Sequence, residues 1–216
     1  MYAMISTRPD ASYALNVTSR YQSDPGESHW TAGKNILKYL RRTKDVFLAY
    51  GGEEEIVVTG YTDASFQTDK DDSKSQSGFV FKVNGGAVSW KSFKQETLAD
   101  STTEAEYIAA LKAAKEGVWI RKFLIELGLF PNASSPLDLY CDNSGAIAEA
   151  KEPRNHQKGK HVMRRVHLIR EFIDRGEIKI CKIHTDLNIL DPLIKPLPQA
   201  KHERHTRPMG IRYVLD

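Results

Sequence analysis

The chain has no apolar run approaching the roughly 20 residues needed to span a bilayer, which excludes a membrane-spanning helix. Cysteine is scarce: Cys141 and Cys181 are the only two among 216 residues, both in apolar, strand-like runs and without a CxxC pair. A disulfide-stapled scaffold is thereby excluded, and no Cys/His ligand spacing supports zinc. Both thiols read as buried and free, as in a reducing compartment. The opening residues "MYAMISTRPDASYAL" lack the charged-then-apolar layout of a secretion signal. Neither internal repeats nor low-complexity tracts occur.

What is present is ordinary globular composition, 40% hydrophobic and 27% charged, with length for one full domain and part of another. A net charge of +3 and a pI near 8.7 permit a nucleic-acid partner without requiring one. Residues 10–41 pattern as two helices broken by "SDPGES", and "VFLAYGG" as a short strand and turn. "IVVTGYTD", "SGFVFKV" and "AVSWKS" follow as three β-rich runs, with "NGG" at 84–86 signalling a tight hairpin. Residues 102–127 carry the longest helical pattern, stopped by Gly128. Then come a strand "LDLYCD", a helix "NSGAIAEAK", an amphipathic helix "KHVMRRVHLIREFIDRG", a strand "EIKICKIH" and a short helix at "NILDPLIKPL". The order β-β-β-α-β-α-α-β-α describes an α/β fold, a mixed sheet flanked by helices.

Four carboxylates stand out within this pattern. Asp63 ends the run "GYTD", Asp142 ends "LYCD", Glu106 lies inside the long helix, and Asp191 opens the short one. Dispersed acids gathered by a fold suit a two-cation phosphodiester hydrolase, because Mg²⁺ takes hard oxygen ligands. Helical periodicity separates the two candidate glutamates. Glu106 shares its face with Ala110, Ala113, Gly117, Ile120 and Leu124, whereas Glu104 shares one with Lys115, Lys122 and Glu126. A carboxylate on the apolar stripe is costly unless paired or bound to a cation. Glu106 therefore reads as a ligand, or else as an acid tethered to a nearby Lys or Arg; Glu104 reads as a solvated, first-turn acid.

Taken together, "YTDASF", "DKDDSKSQSGFVF", "GGAVSWKSFKQ", "STTEAEYIAA", "CDNSGAI", "KHVMRRVHLIRE" and "DPLIKPL" resemble, in order, the ribonuclease H region of copia-type LTR-retrotransposon Pol polyproteins. "STRPDASYALNVTSRY" and "PGESHWTAGKNILKYLRRT" resemble the segment joining such a polymerase to its ribonuclease H. The resemblance implies a ribonuclease H-like five-stranded mixed sheet with the catalytic acids Asp63, Glu106, Asp142 and Asp191 at its centre. It divides the chain into a connection segment at 1–50, a ribonuclease H-like domain at 51–200 and a basic tail at 201–216. It further implies two Mg²⁺ ions, with Mn²⁺ a substitute, an RNA–DNA hybrid as substrate and the reverse transcriptase domain as partner. The setting implied is a cytoplasmic virus-like particle, with a nuclear location also open. Related ribonucleases H often carry a histidine before the last aspartate that aids proton transfer or product departure; His184 is the nearest, though close to Asp191, and a structural role closing the strand is the alternative. Leu190, Ile194 and Met163 depart from the family pattern, which points to a decayed or domesticated copy acting as a nucleic-acid or protein binder as the alternative function. The polymerase aspartates of such polyproteins are absent here. An integrase-like enzyme would place its glutamate last, contrary to the order found.

Other features have two readings each. Lys158, Lys160, Arg164, Arg165 and Arg170, with His161, form the densest basic run, suited to phosphate contact or to a solvated face. Ser73 to Ser77 form either a nucleic-acid-contacting turn or a plain solvated one. Trp90 and Trp119 read as core. Asp69, Asp71 and Asp72 resemble a calcium loop but lack its glycine and terminal glutamate.

Overall fold

The computed structural model describes residues 2–51, 55–129, 135–151 and 168–214. Three antiparallel strands, β2 (Val58–Ser65), β3 (Gln76–Val83) and β4 (Gly86–Lys94), follow one another as two hairpins. The β3–β4 turn runs through Asn84 and Gly85, both with positive φ, which the Asn-Gly pair tolerates at little cost. Helix α4 (Thr102–Glu126) then crosses back, so that β5 (Leu137–Cys141) joins β2 in parallel and β6 (Ile178–Lys182) joins β5 in parallel. The sheet order is β4-β3-β2-β5-β6, the mixed five-stranded arrangement expected.

One face of the sheet is covered by α4, α5 (Ser144–Lys151) and α6, described over 168–174. Phe79, Phe81, Leu137, Leu139, Ile178 and Ile180 meet Ala110, Ala113, Ala114 and Val118 of α4 there. Small residues let α4 approach closely: a Cβ at Gly117 would lie 2.9 Å from Ile178 Cδ1.

The opposite face is where the sequence reading needs revision. Val80, Ala87 and Trp90 are buried under Ile189, Leu190, Leu193 and Met209, the first three of these from α7 (Asp191–Ile194) and its approach. The N-terminal elements α1 (Tyr2–Ser6), α2 (Ser12–Ser19) and α3 (Glu27–Arg42) pack beside them, and the Trp90 indole donates to the Met4 carbonyl at 2.6 Å. The expected basic tail folds instead into α8 (Gln199–Thr206) and β7 (Ile211–Tyr213), and β7 pairs antiparallel with β1 (Val46–Leu48). Its sequence hid this because the burial rests on a few residues, Met209, Ile211 and His205, scattered among charges. Residues expected to lie in separate segments thus share one packed layer.

Polar groups fix that layer. Arg8 and Asp10 form a buried bidentate ion pair, and the Tyr39 hydroxyl donates to Asp10 at 2.6 Å. Arg20 bridges α2 to Asp69 and Gln76. Asp69 and Asp72 also receive Lys94, so the acidic loop is neutralised by Arg and Lys side chains, not arranged for calcium. Ser75, Gln76 and Ser77 are buried, with Gln76 donating to Ser92 and Gln95 donating to Ser77; neither turn reading holds for them. Trp119 is a further correction. It is 60% exposed and stacks on Phe123, because it falls on the side of α4 away from the buried stripe.

Candidate active site

The parallel β2–β5 pair is the reason two of the acids meet. Its register aligns Tyr61 with Tyr140, and continuing it by two residues sets Asp63 beside Asp142 at the carboxyl ends of both strands. Glu106 reaches the same place from the second turn of α4, whose start is fixed by Ser101 accepting the Glu104 N–H at 3.1 Å. Asp191 arrives from the opposite layer at the start of α7, whose approach is tied to β2 by Asn188 donating to the Thr62 carbonyl at 3.1 Å.

Asp63, Glu106 and Asp191 are all buried, at 6%, 6% and 5% exposure. The Asp63 carboxylate accepts the Ala64 N–H at 2.8 Å, and among the described residues Glu106 Oε2 is buried without a hydrogen-bond partner. Burial first, then the charges of Asp142 and Asp191, push the Asp63 carboxyl up to about 7. Burial and the neighbouring Asp63 push Glu106 up further. Desolvated acids that raise one another's pKa in this way mark a candidate functional site, and a cation bound among them would relieve the repulsion. Carboxylate oxygens of Glu106 and Asp142 and the Cys141 thiol all lie within 4.8 Å of one another, a group able to hold a metal ion.

Asp191 behaves differently. Burial opposes its ionisation, but ion pairs to Lys195 at 2.6 Å and Lys201 at 2.9 Å outweigh it and hold the carboxyl below its usual range. His205, itself buried, stands 4.0 Å away, and burial lowers its pKa. Lys201 and His205 escaped the sequence reading because they lie in the presumed tail; the Asp191–Lys195 spacing of one helical turn was a readable signal.

Glu104 stays out of the centre, capping the chain before α4 by accepting the Asp100 N–H. His184, by contrast with the expectation, is largely exposed, paired with Asp186, and caps a short turn by accepting the Asp186 N–H. That is the structural role given as its alternative. Of the basic run, Lys158, Lys160, His161, Arg164 and Arg165 lie outside the described residues, as does Met163, one of the departures from the family pattern. Arg170 donates to the Glu149 carbonyl at 2.8 Å, tying α6 to α5 instead of projecting as a free phosphate contact. Leu190 and Ile194, the departures from the family pattern, are buried against Gly78 of β3, so the packing accommodates both.

A five-stranded sheet of this order, with acids at the ends of its central parallel pair and on the crossing helix, defines a ribonuclease H-like α/β fold. No protein-family model matches the chain. The retrovirus-related Pol polyprotein from transposon TNT 1-94 of Nicotiana tabacum is 45% identical over 203 residues, covering 94% of this chain and 15% of the polyprotein. The secreted RxLR effector protein 161 of Plasmopara viticola is 44% identical over 120 residues, 56% of this chain and 84% of that protein. Among solved structures, RNase H1 of Halobacterium salinarum covers 63% of the chain at 16% identity and a TM-score of 0.45, with 93% of its own length matched. Over nearly its whole length the chain is similar to the Pol polyproteins of copia-type plant retrotransposons, and it spans about one-seventh of the tobacco polyprotein's length.

Proposed function

We propose that this chain hydrolyses the RNA strand of RNA–DNA hybrids, as the ribonuclease H part of a reverse-transcription machinery. The observation that carries this reading is the convergence of carboxylates from the sheet, α4 and α7, where Asp63 feels the charges of Asp142 and Asp191 and Glu106 Oε2 is buried with no hydrogen-bond partner among the described residues. A buried oxygen of that kind fits a divalent cation, since an unpaired carboxylate there is otherwise costly. Asp63, Glu106, Asp142 and Asp191 are the residues that would hold two Mg²⁺ ions, or Mn²⁺ in their place. Bound there, such ions supply an activated water and charge stabilisation for the leaving oxygen.

The chain itself contributes position and exclusion. Strands β2 and β5 hold two of the acids on rigid backbone, and α4 brings the third against them from a packed face. Lys195 and Lys201 hold Asp191 ionised and oriented on the outer side of the site. Backbone phosphates of a hybrid would be met by Lys158, Lys160, Arg164 and Arg165, giving affinity with little base specificity. The reverse transcriptase of a parent polyprotein is the proposed partner, and the cytoplasmic particle its proposed setting. No described helix is long and apolar enough to cross a membrane.

Cleavage of a labelled RNA–DNA hybrid by purified protein, with and without Mg²⁺, tests the reading. Asp63→Asn and Asp142→Asn are each expected to lower the rate by about a thousandfold or more while hybrid binding persists. Wild-type protein that binds hybrid and never cleaves it would favour the alternative, a decayed or domesticated binder.

A further inference from the structure

Cys141 is the last residue of β5, 1% exposed, and its side chain faces α4 with Leu137 and Leu139. Its thiol is therefore inside the acid centre, not beside it: sulfur and the Glu106 and Asp142 oxygens lie within 4.8 Å of one another. The Glu106 carboxylate, more than nine-tenths buried, has one oxygen with no hydrogen-bond partner among the described residues. The thiol's own contact is weak, a 3.9 Å approach to the Asn143 carbonyl. Two oxygens and one sulfur are a poor set for Mg²⁺, which takes oxygen in near-octahedral geometry. They are a good set for a borderline-soft ion such as Zn²⁺ or its softer analogue Cd²⁺. In tetrahedral geometry Zn–S near 2.3 Å and Zn–O near 2.1 Å place sulfur and oxygen about 3.6 Å apart, so side-chain rotations draw the three donors together on binding.

We propose that Glu106, Cys141 and Asp142 form a binding corner for a thiophilic divalent cation, which takes two of the ligands the hydrolytic ions need and so blocks them. Binding forms one metal–sulfur bond, and the thiol proton leaves to solvent. The corner itself stands on its own geometry; its blocking role rests on the proposed hydrolase reading. Spacing in the sequence could not reveal it, because the glutamate lies on a helix far upstream and only the fold joins the three.

The experiment is a Cd²⁺ titration of the full chain, followed by the thiolate-to-cadmium charge-transfer absorbance and by proton release into a weak buffer. Wild type is expected to show one saturating band that excess Mg²⁺ pushes to higher Cd²⁺. Cys181→Ser, which alters the half-exposed thiol near Asp138, is expected to keep the band. Cys141→Ser should abolish it and weaken Cd²⁺ binding by about tenfold or more, with Cys141→Ala as the second variant should the serine fail to fold. Glu106→Gln should keep a thiolate band but require about tenfold more Cd²⁺. A band lost in Cys181→Ser and kept in Cys141→Ser overturns the proposal, as does Cd²⁺ affinity indifferent to Glu106→Gln. Hybrid cleavage is scored separately. An intact Cys141-dependent band in a protein that never cleaves sinks the hydrolase reading alone, whereas cleavage untouched by saturating Cd²⁺ sinks the blocking role alone.

Discussion

Asp63 and Glu106 place two acids where the interior disfavours both charges, and this conflict has a measurable sign. Unfolded, Asp63 would release its proton near 3.8; folded, it holds it up to about 7. Over that interval the folded state binds more protons, so stability is greatest at low pH and falls as pH rises through the folded value. Asp191 acts in the opposite sense, since its depressed carboxyl loses stability as pH falls. Metal-free protein should therefore melt at progressively lower temperature between pH 5 and pH 7, and Mg²⁺ should reverse the trend by binding the folded state. Glu106→Gln replaces a carboxyl that folding must keep protonated at neutral pH although water would ionise it, and should raise the metal-free melting temperature there by a few degrees, roughly 1 kcal/mol, while Glu104→Gln should not. Equal effects of the two variants would show that the register placing Glu106 inside is wrong. That register was legible beforehand from the apolar residues sharing its face. The cations around Asp191 were not, because a charged residue in a polar stretch carries no periodic mark of what it will touch.

At the scale of elements, the strands and helices that build the centre were legible because each has a local cause. Alternation marked the hairpins, Asn84 and Gly85 marked the turn, and a long apolar period marked α4. What local pattern cannot show is how close two elements come. Gly60 on β2 illustrates this: a Cβ there would collide with the Phe81 ring and lie 3.1 Å from Leu139 Cδ1. Phe81 is fully buried and pinned by α4, so the ring has nowhere to move. Strand propensity alone would make Gly60→Ala favourable. Packing should reverse the sign, with a loss of about 1–3 kcal/mol, read as a lower urea midpoint at unchanged slope. Since Gly60 sits three residues before Asp63 on the same strand, the variant should also weaken divalent-ion binding. A stability gain in Gly60→Ala would mean that α4 sits further from the sheet than the structure places it.

For the whole molecule, the decisive feature is that residues 1–50 and 201–214 close the second face of the sheet together. A division at residue 50 would leave all four acids on one piece, which makes a separable nuclease domain the natural expectation from sequence. The packing argues otherwise. Removing residues 1–50 strips Met4 from the Trp90 indole, takes Arg20 from Asp69 and Gln76, and leaves β7 without its partner β1. It also removes Asp10, whose carbonyl contacts His202 of α8, the helix that carries Lys201 toward Asp191. Each buried polar group left without its partner costs about 1–3 kcal/mol, and several lost together are comparable with the stability of a whole domain. The truncated chain is thus expected to lose its cooperative urea transition and its near-ultraviolet circular dichroism, while the full chain shows both. A milder variant isolates the cause: Asp10→Ala leaves Arg8 buried without its partner and should cost about 3 kcal/mol, with Trp30 and Leu37, already exposed on α3, unaffected. A truncated chain that unfolds cooperatively and still binds divalent ions would show that the sheet and α4 carry the centre alone. The N-terminal layer would then be a cover that the fold can lose.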